Sequence, residues 1–345
     1  MKFGFLVNRK MIDLSAADPY GRLYDMVREM EDVGYDIVYI GHHRFADKTA
    51  FGGDVASEPS APLIMLAAML ARTSRIKMCT NIMLLPSRHP LDVAEEINTL
   101  NELSGNRFIL GSGIGYKPEE FELTGWGFKN RASRMEECLE ILRLALTGEH
   151  FSYEGKHFQI PGCKIVPGPL HGQPSPLWVG AVSEPAMLRA GRVGDGWLIG
   201  FAEHLVELQE KVARYKAVAA EHGRPSTLCL MRELHIAPTK AQIDPNWLKN
   251  VTTVWQAYDD LGSKADRDPL ADEVIFGGKS VSLEQFAPNR AIVGTPDDCT
   301  REMERIRDLI NPDYVMMTPT GVPEPEQQIA ELRLFAKEVM PQFRD

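Results

Sequence analysis

The chain has 345 residues, of which 44% are hydrophobic, and a formal net charge of −10 at pH 7. This length and apolar fraction allow a large buried core, and the acidic balance argues against a nucleic-acid partner or an acidic membrane surface. The five cysteines are scattered without metal-ligand spacing, and no apolar stretch is long enough to span a bilayer. We therefore expect a soluble cytoplasmic protein with reduced thiols and no metal site.

A unit of helix, short break and strand recurs along the chain. Its first copies predict helices over residues 20–33, 63–71 and 91–103. The apolar runs of the strands are nearly continuous, as in parallel strands that are covered on both faces. The sequence predicts about eight strands, at residues 2–7, 36–40, 76–85, 107–111, 177–181, 196–200, 228–235 and 314–317.

Eight strands with intervening helices favour one (β/α)8 barrel over residues 1–345, an α/β fold of the TIM-barrel class with insertions. An open doubly wound sheet is the alternative, although no G-x-G-x-x-G follows the first strand. Two segments interrupt the repeat: a predicted hairpin at residues 151–160, and residues 242–290 between the seventh and eighth strands. We expect the second to be a lid or a substrate wall, or else a solvated decoration in its polar middle.

Candidate functional residues follow the predicted strands, because active sites of such barrels lie where strands end. His42 and His43 come directly after the second strand, and a histidine moves protons near neutral pH, or is simply a hydrogen-bonded structural group. The glycines of residues 111–115 let the backbone approach a flat ligand, or only turn tightly. Ser183 starts a helix, which offers a phosphate seat or an ordinary N-cap. Four aromatic residues are candidate walls of a substrate pocket, or else ordinary core residues: Trp126, Trp197, Phe201 and Trp255.

A set of short motifs, in order along the chain, resembles the bacterial luciferase-like flavin monooxygenases. The set includes the pair His42-His43 and residues 84–90 (LLPSRHP), 103–108 (LSGNRF), 176–183 (PLWVGAVS) and 293–296 (VGTP). Each motif is short, but the ordered set is specific to the family.

The resemblance implies a barrel that binds reduced FMN, supplied by a separate flavin reductase, at the carboxyl ends of its strands. In the family, reduced FMN reacts with oxygen at C4a, and the resulting peroxide oxygenates a small organic substrate. His42 matches the catalytic histidine, and Asn81-Ile82 matches a bulge, often with a cis peptide bond, against which the isoalloxazine ring leans. The implied cofactor-binding residues are Asn81, Ile82, Ser112, Gly113, Ile114, Gly115, Tyr116, Val182 and Ser183.

The sequence departs from the family pattern at two positions. Gly41 precedes the histidine pair where the luciferase subunit has a glutamate, and Ile114 replaces a phosphate-binding arginine. The phosphate would then depend on the Ser183 loop, with Arg9 or Arg44 as further cations. The family also contains enzymes that use the deazaflavin F420 to transfer hydride without oxygen, and catalytically idle flavin-binding subunits.

The resemblance also implies a homodimer. The family pairs through the side that carries the predicted helices 63–71 and 91–103, which are rich in apolar residues. The substrate is not identified by the sequence.

Overall fold

The computed structural model describes residues 1–8, 11–43, 61–260, 262 and 267–344. The strands within these ranges are β1 (Lys2–Leu6), β2 (Ile37–Ile40), β3 (Lys77–Thr80), β4 (Met83–Leu84), β5 (Phe108–Gly113), β6 (Phe151–Glu154), β7 (Gln159–Cys163), β8 (Leu177–Gly180), β9 (Gly196–Ile199), β10 (Thr227–Ile236), β11 (Ala291–Gly294) and β12 (Tyr314–Thr318). The helices are α1 (Gly21–Asp32), α2 (Pro62–Leu70), α3 (Pro90–Ser104), α4 (Glu119–Glu122), α5 (Arg131–Ala145), α6 (Glu184–Val193), α7 (Leu205–Glu221), α8 (Trp247–Asp260), α9 (Pro269–Ile275), α10 (Leu283–Phe286), α11 (Pro296–Leu309) and α12 (Pro325–Glu338).

Eight parallel strands form a closed barrel. The order is β1, β2, β3, β5, β8, β9, β10 and β12, and β12 pairs with β1 through the register Lys2 to Tyr314. Each crossover between neighbours carries a helix, as parallel pairing requires. The predicted (β/α)8 barrel is confirmed, and the open sheet is excluded.

Two features of the sheet differ from the prediction. The strand predicted at residues 76–85 is interrupted at Asn81-Ile82, so that β3 and β4 are separate. The strand β11 was not predicted, because its four residues follow a long helical insertion; it pairs in parallel with the end of β10, outside the barrel circuit. The other predicted strands and helices differ from the observed ones by one or two residues at an end. The predicted hairpin is the antiparallel pair β6–β7.

Side chains of the barrel strands alternate between two cores. In β10, Cys229 and Met231 belong to the cluster inside the barrel, whereas Leu230 and Leu234 pack under the surrounding helices. The alternation therefore directs Glu233 into the barrel, near the end where the strand finishes. The interior cluster consists of Leu6, Ile37, Tyr39, Cys79, Ile109, Trp178, Leu198, Cys229, Tyr314 and Met316, with Ile82 and Met231 against it.

The segment 242–290 contains the helices α8, α9 and α10, which share a third apolar cluster. Trp247, Val251 and Trp255 of α8 belong to this cluster together with Ala202 and Val322, from the loops after β9 and β12. The insertion therefore packs onto the end of the barrel at which its strands finish. Among the helices of the described residues, none has both the length and the apolarity that crossing a bilayer would need.

Candidate functional site

A bulge after β3 forms one wall at the carboxyl end of the barrel. The Asn81–Ile82 peptide bond is cis, as the resemblance implies. The Asn81 backbone N–H donates to the Ile40 carbonyl at 2.7 Å, and its side-chain Nδ2 lies 2.9 Å from Sδ of Met231. Asn81 therefore ties the bulge to β2 and, across the interior, to β10.

Glycines on two neighbouring strands make room for the Ile82 side chain. A Cβ atom at Gly113 would lie 2.8 Å from Cδ1 of Ile82, and one at Gly180 would lie 2.7 Å from its Cγ2. Both distances are shorter than real contacts, so any larger residue at either position would displace Ile82. A Cβ at Gly200, directly after β9, would meet nothing within 4 Å. The resulting surface is apolar, poor in side chains and open, which fits a flat ring system.

His42 lies beside this bulge. Its Nδ1 accepts the backbone N–H of Leu84 at 3.4 Å, and its side chain is buried. Because Nδ1 accepts this bond, the hydrogen of the neutral ring lies on Nε2. The bond to β4 places the ring directly after the cis peptide, where it can exchange a proton with a bound molecule.

A tyrosine and a carboxylate hold His43. Its Nε2 lies 2.9 Å from the Tyr116 hydroxyl, and its Nδ1 lies 3.4 Å from Oε1 of the buried Glu120. The Tyr258 ring, from α8, lies 6.3 Å from the imidazole and 6.4 Å from the Tyr116 ring, centroid to centroid. The sequence analysis missed Glu120 and Tyr258. Nothing in the local sequence marks either residue as part of a site.

The predicted phosphate seat lies at the rim formed by β5 and β8. These strands pair through Ser112 and Val179, and the Ser112 hydroxyl donates to the Trp178 carbonyl at 3.2 Å. The loops that follow, residues 114–116 and 181–183, are therefore adjacent. Ser183 is the N-cap residue of α6, but its side chain is exposed and makes no capping hydrogen bond.

Three further residues of these two loops contribute backbone conformation or apolar side chains, not polar side chains. Gly115 has a φ of +74°, which favours glycine, and Val182 is half-buried. Ile114 packs against the outer core and offers no polar group.

Arg131, at the start of α5, brings a cation to the loop at residues 114–116. Its Nε donates to the Gly115 carbonyl at 3.1 Å, and its guanidinium lies 3.8 Å from the centre of the Phe128 ring. Burial lowers the pKa of Arg131, but an arginine stays charged at neutral pH. The sequence analysis missed this residue because it lies far along the chain from Ile114. Arg9 and Arg44 lie outside the described residues.

Glu233 is a buried carboxylic acid on the opposite side of the barrel from Ile82. The Thr320 hydroxyl donates to its Oε1 at 2.5 Å, and the Thr320 backbone N–H donates to its Oε2 at 3.2 Å. Burial raises the pKa of Glu233 to about 7, although the hydrogen bonds from Thr320 oppose the shift. The rim therefore contains an acid that titrates near neutral pH.

The aromatic residues expected in a pocket wall fall into two groups. Phe201 lies at the rim, with its ring centre 5.8 Å from that of Trp255 and 5.7 Å from that of Tyr258. Trp197 instead donates its indole N–H to the Ala181 carbonyl and packs on Tyr215 in the outer core, so that expectation was wrong. Trp126 stacks on Arg134 and likewise packs against the outer core.

The fold and this rim define a (β/α)8-barrel protein whose polar and aromatic groups converge at the carboxyl ends of its strands. The profile of the luciferase-like monooxygenase family matches residues 1–310. The chain therefore belongs to the luciferase-like monooxygenase family.

Two relatives illustrate the range of similarity. A protein of uncharacterised function from Mycobacterium tuberculosis is 37% identical over 173 residues, which cover 50% of this chain and 57% of that protein. The chain thus spans little more than half the length of this relative. The alkanal monooxygenase alpha chain of the Kryptophanaron alfredi symbiont is 21% identical over 361 residues, covering 100% of this chain and 99% of the other.

Solved structures with two different cofactors share the fold. The oxygenating constituent of 3,6-diketocamphane monooxygenase from Pseudomonas putida, in complex with FMN, has a TM-score of 0.75 at 21% identity, covering 99% of this chain and 98% of that one. The coenzyme F420-dependent tetrahydromethanopterin reductase of Methanopyrus kandleri has a TM-score of 0.72 at 20% identity, covering 99% of both chains.

Replacing Glu233 with Gln should remove a pH dependence of stability. A carboxyl whose pKa is raised in the folded state binds its proton more tightly there, so it costs stability as the pH rises from 4.5 to 7. At about 1.4 kcal/mol per pKa unit, the cost approaches about 3 kcal/mol. Urea unfolding of the wild type and of Glu233→Gln, at pH 4.5 to 8, measures the difference, with the exposed Glu304→Gln as control. Parallel stability curves for wild type and Glu233→Gln would contradict this assignment.

Proposed function

We propose that this protein is a monooxygenase that uses reduced FMN and molecular oxygen to oxygenate a small organic substrate. The observation that carries the proposal is the open apolar surface made by Ile82 and the glycines at 113, 180 and 200, with His42 beside it. Bound there, reduced FMN supplies the electrons that activate oxygen. The membership of the luciferase-like monooxygenase family supports this chemistry.

In this proposal the isoalloxazine ring leans on Asn81 and Ile82, and Gly113 leaves room for that arrangement. His42 donates or accepts a proton during oxygen transfer. Its Nδ1 is held by the Leu84 backbone, which keeps the ring in one orientation. His43 is oriented by Tyr116 and Glu120 and lines the same rim.

The insertion supplies a substrate wall. The ring of Tyr258 reaches both His43 and Tyr116, and Trp255 packs against Phe201 after β9. These contacts place apolar side chains of α8 over the carboxyl end of the barrel, where a small apolar substrate would be shielded from water.

The leading test compares the two cofactors directly. We expect turnover of screened aldehydes, ketones and sulfonates with reduced FMN only when oxygen is present, and none with reduced F420. Oxygen-independent turnover with F420 would replace the proposal by hydride transfer, the alternative that the fold of the F420-dependent reductase keeps open.

His42→Ala should lower kcat by about 10²–10⁴-fold, the usual contribution of a general acid or base, while flavin binding persists. The exposed His222→Ala is the control; equal activity of all three proteins would refute the role of His42.

The third hypothesis is that the protein is a catalytically idle flavin-binding subunit. It would bind FMN with the affinity of an enzyme and show no turnover with either cofactor in the same screen.

The FMN phosphate is held, in our proposal, between the loops at residues 114–116 and 181–183. The Ser183 hydroxyl and the Glu184 backbone N–H contribute donors; Pro185 has no N–H, and the N–H groups of Ala186 and Met187 donate to the Ser183 carbonyl. Arg131 contributes the positive charge that Ile114 does not, because its guanidinium already contacts the Gly115 carbonyl. Val182, Ser112 and Tyr116 shape the seat.

Arg131→Gln should weaken the binding of FMN but not of riboflavin, which lacks the phosphate. Loss of a charged hydrogen bond costs about 1.5–3 kcal/mol, or about 10- to 100-fold in Kd. Quenching of flavin fluorescence measures both affinities. Lys129→Gln, an exposed cation two residues away, removes the same charge and should change neither. An equal loss for FMN and riboflavin would show that Arg131 acts on the loop rather than on the phosphate.

We further propose a cytoplasmic homodimer that receives reduced flavin from a separate reductase. The five cysteines are unpaired, as in the cytoplasm. On α2, Ile64 is 73% exposed, and at the end of α3 Leu103 is 76% exposed, so each of these helices carries an uncovered apolar side chain.

Sedimentation at micromolar concentration should give a dimer for the wild type and a monomer for Ile64→Glu, because a charge in an apolar interface is costly. Leu123→Glu, which changes another exposed leucine, should leave the dimer intact. A monomeric wild type would refute the proposed pairing.

A further inference from the structure

A second cavity lies at the opposite end of the barrel, where the strands begin. It has a volume of about 900 Å³. The bottom layer of the barrel forms part of its lining, including Ile109, Trp178 and Tyr314. Catalytic groups of such barrels are found at the other end, so this cavity is separate from the site of the proposed monooxygenase.

The charged residues of this cavity are mostly cationic, although the whole chain carries a net charge of −10. Its lining includes the two carboxylates Asp195 and Asp313 and four cationic side chains, those of Lys2, Lys77, Arg143 and Arg224. A positive cavity on an acidic protein concentrates small anions.

Both carboxylates of the lining are already engaged. Asp195 pairs with Arg143 at 3.0 Å and accepts the backbone N–H of Leu177 at 2.9 Å. Asp313 accepts the backbone N–H of Leu228 at 2.8 Å. Neither Lys2 nor Lys77 forms an ion pair with any carboxylate of the described residues.

Like charges are placed next to each other in two places. Burial lowers the pKa of Lys77, and the Lys2 ammonium lowers it further, whereas the Asp36 carboxylate, which pairs with Arg344, opposes the shift. Strand alternation directs the side chains of Lys2 and Lys77 towards the barrel axis. Burial likewise lowers the pKa of Arg224, with Arg143 adding to the shift and Asp195, which pairs with Arg143, opposing it. A bound anion would relieve the repulsion between Lys2 and Lys77.

The floor of the cavity is aromatic. The rings of Trp178 and Tyr314 meet edge to face, with centres 5.1 Å apart, and the Lys2 ammonium lies 5.2 Å from the centre of the Tyr314 ring. Prolines at 174, 176, 225 and 312 add apolar lining. The cavity thus combines a cationic side with an apolar floor.

We propose that this cavity at the amino end of the barrel strands binds a small aromatic anion, a carboxylate or sulfonate, with its charge against Lys2 and Lys77 and its ring on the floor. The site is independent of the flavin site, and ligand bound there would contact β1, β3, β8 and β12 without entering the active end.

The test uses 8-anilino-1-naphthalenesulfonate, whose fluorescence rises in apolar sites, and its neutral counterpart N-phenyl-1-naphthylamine. We expect one saturable site for the sulfonate in the wild type, weakened about tenfold or more in Lys2→Gln/Lys77→Gln, as loss of two charge contacts requires. Lys216→Gln/Lys249→Gln removes the same charge from exposed positions and should bind the sulfonate normally. The neutral probe should bind the wild type and both double variants with the same affinity.

Flavin binding, measured by fluorescence quenching, should be the same in both double variants, so that this proposal and the flavin proposal can fail separately. Equal sulfonate affinity in the two double variants, or no saturable binding in the wild type, would overturn the proposal. If Lys2→Gln/Lys77→Gln does not fold by circular dichroism, Lys2→Gln alone decides, because the Lys2 side chain is exposed and outside both apolar cores.

Discussion

The contact between Ile82 and two glycines is the constraint on which the candidate site depends. Ile82 can occupy its position only because Gly113 and Gly180 lack side chains on the strands beside it. The Asn81 side chain holds the other end of the bulge against Met231. The half-buried Ile82 side chain is thereby held at this wall, and His42 is fixed next to it by the backbone of β4.

Closed parallel pairing explains why the sequence predicts the fold well. Strands of a barrel are covered on both faces, so that each one is a short apolar run between helices with a different periodicity. The interruption at Asn81-Ile82 was not visible in the periodicity, because residues 76–85 are apolar or small nearly throughout. The strand β11 escaped prediction for a related reason: it adds to the end of β10 and lies outside the repeat.

The candidate site was predicted less completely, and the reason is distance along the chain. The residues at strand ends, such as His42 and Ser183, follow from the barrel rule and from the resemblance. Three residues reach the same rim from helices: Arg131, Glu120 and Tyr258. Their positions depend on how the helices pack, which no local sequence pattern indicates. The pKa of Glu233 depends likewise on burial beneath residues that come from another part of the chain.

Closure of the barrel by β1 and β12 has a consequence for biosynthesis. These strands begin at Lys2 and Tyr314, so β1 has no partner on this side until the residues of β12 have left the ribosome. Long-range pairing of this kind is slow and leaves intermediates prone to aggregation. Yield in a heterologous host should therefore respond to chaperone supply and growth temperature more than to the composition of the surface.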